Sequence, residues 1–263
     1  MSMAAAWYLQ QRTGNSGWVD VTWSLGVGGI AAIAAVWPLG YDWPHWRQLI
    51  VAVLAASWCL RLGVHIAGRT RSSTDDPRYR NLIIRWGRAA PRRMFWFLQS
   101  QAAVGIILAL SIVVAAHNPD PNLRIQDLIG LVILLAAIVG ESIADHQLRA
   151  FKTDPANRKA VCDIGLWRWS RHPNYFFEWS SWLAYPIIAI DFAGQNPFGW
   201  LALTAPVCMA GRPAIMSRIT IPRDTPPITR SVNTCQLVPI DAMGESMLRS
   251  SITFTCMNLL SQS

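Results

Sequence analysis

Residues 141–178 read ESIADHQLRAFKTDPANRKAVCDIGLWRWSRHPNYFFE. This is the most polar and most basic stretch in the second half of an otherwise apolar chain. It begins inside one apolar run and ends inside the next. Glu141 and Asp145 stand four residues apart, as do Asn174 and Glu178. Side chains at that spacing share a helix face. Between the two pairs lie Arg149, Lys152, Arg158, Lys159, Arg168 and Arg171. Two acidic helix ends flanking a basic, Trp-rich loop could hold a large, negatively charged ligand at a membrane surface.

Outward from this stretch, the composition fits a membrane protein. The chain is 52% hydrophobic and 14% charged, with 14 Trp. A soluble domain averages about 25% charged residues. A run of about 20 apolar residues spans a bilayer. Helices are expected over residues 18–37, 47–67, 94–116, 128–145, 175–191 and 197–210. The fold class is therefore an all-α, polytopic membrane helix bundle of about 6–7 transmembrane helices. Its organisation is an N-terminal tail (1–17), a transmembrane domain (18–210) and an atypical C-terminal tail (211–263). The first 17 residues have no long apolar core, so no cleavable signal peptide is expected.

The net charge of +8 sits mostly on loop arginines. The positive-inside rule accounts for it more simply than nucleic-acid binding does. The Arg-rich loop 68–93 and the basic stretch 149–171 both follow even-numbered helices, so they share one side. That side is expected to be cytoplasmic, with the N-terminus. The polar residues near positions 20, 99, 141, 145, 174 and 178 then converge on a cytoplasm-facing cavity. Arg61 and His65, four apart in the second run, either line that cavity or snorkel to the interface. Gly26, Gly28 and Ala31 form a nominal GxGxxA, but no strand precedes it, so close helix packing is the better reading. The five Cys show no metal-like spacing and are expected to be free thiols. No metal site is expected.

Glu141-x3-Asp145-x-Gln147, Phe151-Lys152, Gly165-Leu166-Trp167 and Arg171-His172-Pro173-Asn174-Tyr175, with Glu178 four after the Asn, together resemble a known signature. It is that of the steroid 5-alpha-reductase family, in its bacterial, DUF1295-like branch. The resemblance covers about residues 18 to 208. Arg171-His172-Pro173-x-Tyr175 alone also resembles the isoprenylcysteine carboxyl methyltransferases, and the Asp145-x-Gln147 and Phe151-Lys152 block favours the reductases. The resemblance implies a bacterial inner-membrane enzyme. It would use NADPH to reduce the C=C bond of a lipophilic enone, a 3-oxo-Δ4-steroid or similar. By motif matching, Glu141, Asp145, Arg149, Lys152, Trp169, Arg171, His172, Asn174, Tyr175 and Glu178 would bind the cofactor. Asn174 and Glu178 correspond to positions at the nicotinamide end. Asp75-Asp76-Pro77-Arg78-Tyr79 matches a further family motif tied to cofactor or substrate binding.

Hydride addition to the β carbon puts negative charge on the carbonyl oxygen, so the site must donate hydrogen bonds there. Asp20, Tyr79 and Gln99 are the candidates for that catalytic task, Asp20 as a protonated carboxyl. The alternative function is an S-adenosylmethionine-dependent membrane methyltransferase, and a non-catalytic membrane protein is a third class. Residues 211–263 are rich in Ser, Thr and Pro and depart from the family's ending. They read as an altered reading frame or as a divergent, partly disordered tail.

Overall fold

The computed structural model describes residues 2–39, 45–72, 75–157, 160–192 and 194–217. Most of the C-terminal tail, together with Arg158 and Lys159, lies outside the described residues. Eight α-helices are described, and no strand occurs among the described residues. They are α1 (Ser2–Thr13), α2 (Gly17–Ala35), α3 (His45–Ser72), α4 (Pro77–Trp86), α5 (Ala90–Ala116), α6 (Ile125–Thr153), α7 (Pro173–Ala189) and α8 (Thr204–Ser217). Four helical stretches are long and apolar enough to cross a membrane: Gly17–Ala35, His45–Arg71, Arg78–Ala116 and Ile125–Thr153. The fifth expected span, α7, has 17 residues. The sixth, expected over 197–210, is a 3-10 stretch (Pro197–Leu203) leading into α8.

Several elements depart from the sequence reading for local reasons. Residues 2–13 of the expected tail are helical. Met3, Ala6 and Gln10 fall on one face and are buried, and the Trp7 indole donates to the Pro91 carbonyl at 3.0 Å. The Arg-rich loop contains α4. Asp76 caps it by accepting from the Arg78 amide at 2.9 Å, Pro77 occupies its first turn, and Gly87 (φ 50°) ends it. Helix α6 continues past the expected end at 145 to Thr153. Its polar last turns are held by an apolar contact, because Leu148 and Phe151 pack with Cys162 and Trp167.

Two helix pairs pack tightly, α2 with α3 and α6 with α7. Small residues permit the approach. A side chain at Gly28 would strike Cys59, and one at Gly140 would strike Phe177. Ala31, from the same GxGxxA, is fully buried. Helix α5 is central, touching α1, α2, α3, α4, α7 and α8. Leu98, Leu108 and Ile112 on it are fully buried. By contrast, α3 and α6 have little backbone proximity and meet through long side chains.

At one end of the bundle Arg47, 1% exposed, ties the pairs together. Its guanidinium donates to the Asp127 carboxylate at 2.9 and 3.1 Å and to the carbonyls of Asn118, Asp120 and Asn122. Arg124 joins Asp127 to the Ile188 carbonyl, and Asn118 donates to the carbonyls of Ile188 and Ala189. This network fixes the starts of α3 and α6 to the end of α7. Removing one member of a buried ion pair costs about 3–5 kcal/mol. Arg47→Met is therefore expected to destabilise the protein by about 3 kcal/mol, read as a lowered thermal midpoint in detergent. An unchanged midpoint would show that the network is dispensable.

Candidate functional site

One face of α3 carries Trp58, Arg61, His65 and Arg69, at helical spacings of three and four. One face of α6 carries Glu141, Asp145 and Arg149. The faces meet. Arg61 bridges Glu141 at 2.6 Å and Asp145 at 2.5 Å. His65 Nδ1 lies 3.8 Å from Asp145 and accepts from Arg149 at 3.2 Å. A charge in an apolar bundle is tolerated only when paired or facing a polar cavity. Arg61 is ion-paired with both acids. Arg61 and His65 therefore face α6.

Helix α7 delivers the third wall. Glu178 is buried, and its two oxygens accept from the Trp58 indole at 3.3 Å and the Trp182 indole at 3.2 Å. The Trp58 and Trp182 rings meet edge to face at 5.1 Å. The segment between α6 and α7 is pinned by Gln147, whose Oε1 accepts from the Leu166 amide at 2.9 Å. The Gln147 side chain occupies the space where a Cβ on Gly165 would stand, and Gly165 has φ 53°. Trp167 then donates to the Ala144 carbonyl at 2.9 Å.

At the first turn of α7, the His172 ring stacks on Tyr175 at 4.9 Å. Asn174 is 3% exposed, and its Oδ1 has no hydrogen-bond partner; neither has His172 Nδ1. Arg149, Lys152, Arg171 and Trp169 (89% exposed) form an exposed, largely basic set outside this buried floor. The ten residues matched to cofactor binding thus fall into an acidic, amide-bearing interior and a basic edge. A buried acceptor without a partner can take an amide N–H, and exposed cations can take phosphates.

The three carbonyl-polarising candidates separate. Asp20 and Tyr79 come together: Asp20 is fully buried and accepts from the Tyr79 hydroxyl and from Arg78, both at 2.7 Å. In this arrangement Asp20 accepts, because Arg78 pairs with it; Arg78 also bridges to Asp76 at 2.7 Å. Gln99 is half-buried and turned to the Phe95 carbonyl of its own helix at 3.5 Å. Sequence reasoning did not select Trp58, Trp182 or Gln147 for the site. The Gln147–Gly165 contact had a signal, since both residues belong to the matched motifs. The two tryptophans had none beyond helical spacing from Arg61 and Glu178.

Comparison with known proteins adds family information. Residues 6–221 match the family described as protein of unknown function DUF1295. An uncharacterized protein of Schizosaccharomyces pombe is 25% identical over 227 residues, which cover 75% of this chain and 65% of the yeast protein. The chain thus spans less than two thirds of that relative. No solved structure matches it.

His172 supplies a pH test of the site. Burial, reinforced by the Arg171 charge, pushes its imidazole from the usual 6.5 down to about 4. Between those values the unfolded chain holds the extra proton. The neutral ring's contribution to stability is complete above about pH 6.5 and is lost as pH falls toward 4. The thermal midpoint is expected to fall across that window, and to fall less in His172→Gln. Equal slopes in both proteins would place His172 outside the packed floor.

Proposed function

The chain belongs to the DUF1295 family, and on that premise we propose that it is a membrane reductase that saturates the C=C bond of a lipophilic enone with NADPH. The observation that carries this reading is the buried Asn174 Oδ1, which has no hydrogen-bond partner. The resemblance of residues 141–178 to the steroid 5-alpha-reductases supports it. Bound NADPH would supply the hydride, which with a proton from water converts the enone to the saturated ketone.

The chain's own residues then have separable tasks. Asn174 accepts a carboxamide N–H at the floor. Arg149, Lys152 and Arg171 face phosphate groups, since arginine forks match phosphate oxygens. Arg61 holds Glu141 and Asp145 in place, while Trp58 and Trp182 orient Glu178. By the positive-inside rule the arginine-rich end of the bundle around α4 faces the cytoplasm, where reduced cofactor is available.

Binding of NADPH, NADH and S-adenosylmethionine to the detergent-purified chain tests this, read by tryptophan quenching. NADPH is expected to bind more tightly than NADH. Asn174→Ala is expected to weaken NADPH about tenfold, the worth of one buried hydrogen bond. A response to S-adenosylmethionine alone would replace the reductase by a membrane methyltransferase.

A further inference from the structure

Gln101 lies on α5, four residues past Phe97. Its side chain is 1% exposed, and its Nε2 has no hydrogen-bond partner. Its backbone carbonyl accepts from the Trp23 indole at 3.0 Å, which fixes α5 against α2 at this level. Trp23 stands three residues past Asp20, and the Phe97 ring lies edge-on to Tyr79 at 6.4 Å. Gln101 therefore occupies the layer about one helical turn, roughly 6 Å, deeper than the Asp20–Tyr79 pair. That layer is apolar, with Trp23, Leu98 and Val104 all buried. Helix α5 also packs on α7, which carries Asn174 and Glu178.

Among the described residues, four other buried polar side-chain atoms have no hydrogen-bond partner. Two belong to Arg61 and Arg78, whose guanidinium groups are ion-paired, and two lie at the first turn of α7. Gln101 is the neutral donor in an apolar layer. A buried donor without an acceptor is a standing cost to a fold, and a functional role is one of the reasons such a cost is kept. The Tyr79 hydroxyl is committed to Asp20.

We propose that Gln101 is the residue that binds substrate through its carbonyl, donating from Nε2 to the oxygen of a lipophilic enone. This rests on the reductase reading above. A neutral amide fits the task in an apolar layer, because it brings no charge to desolvate. Its N–H gains strength as negative charge builds on the oxygen. It transfers no proton, so the α carbon takes its proton from water.

Gln101→Met keeps the length of the side chain and removes the donor. The probe is testosterone, whose ring enone is its only carbonyl, carbon-13 labelled at that position. The bound carbonyl's infrared band is read without cofactor, and turnover is read with NADPH. In Gln101→Met the band is expected to move toward that of a free carbonyl and kcat/KM to fall about 100-fold, the usual loss of one oxyanion donor. NADPH binding is expected to hold, and the thermal midpoint to stay level or rise, since an unsatisfied donor has been removed. A lowered midpoint with an unchanged band and unchanged kcat/KM overturns the proposal and makes Gln101 a packing residue. Failure of wild-type protein to bind the probe also overturns it. Failure to bind NADPH alone removes the reductase reading, while a band shift lost in Gln101→Met still supports the carbonyl site.

Discussion

Arg61, held between Glu141 and Asp145, is a contact through which α3 and α6 meet. Helices pack where small residues let backbones approach, as α2 does on α3 and α6 on α7. Between α3 and α6 no such approach exists, and charged side chains cover the gap. In an apolar surround a lone guanidinium or carboxylate is prohibitive, so each needs the other. The pairing leaves a polar seam where an apolar interface would have been sealed.

The seam is supported from both directions. Trp58, one turn before Arg61, and Trp182, one turn after Glu178, each give an indole N–H to the Glu178 carboxyl. At the far end of α3, Arg47 gathers Asp127 and three loop carbonyls into a second buried network. Helix α3 is thus clamped at one end by a fully satisfied cluster. Toward the other it carries the polar ladder of Arg61, His65 and Arg69. Satisfied groups stabilise and have no capacity left for a ligand. Among the described residues that keep an open hydrogen-bonding atom, Asn174 Oδ1 and Gln101 Nε2 belong to neutral amides with no ion pair to compensate them.

Much of the fold was legible, because length and apolarity decide whether a segment can cross a bilayer. Helices α2, α3, α5 and α6 follow from that alone. The extension of α6 to Thr153 was not legible, since it depends on Leu148 and Phe151 finding Trp167 across a loop. Nor was α1, whose face of Met3, Ala6 and Gln10 is too short to stand out in composition. In the candidate site, the spacings of Glu141, Asp145 and Arg149 and of Asn174 and Glu178 gave the faces correctly. They could not show that Glu178 meets two tryptophans, or that Asp20 meets Arg78.

By itself, then, the sequence determined an all-helical membrane bundle with an acidic and basic segment near one end. Periodicity and run length are local properties, and local properties suffice for that. Only the tertiary structure decided which buried polar atoms are spent on one another and which remain open. Hydrogen bonds and ion pairs act over about 3 Å, a distance set here by helices far apart in the chain. Asp20 and Tyr79 are 59 residues apart and become partners. Gln99 and Gln101 are two residues apart, yet the first turns to its own helix and the second is left unpaired among apolar neighbours.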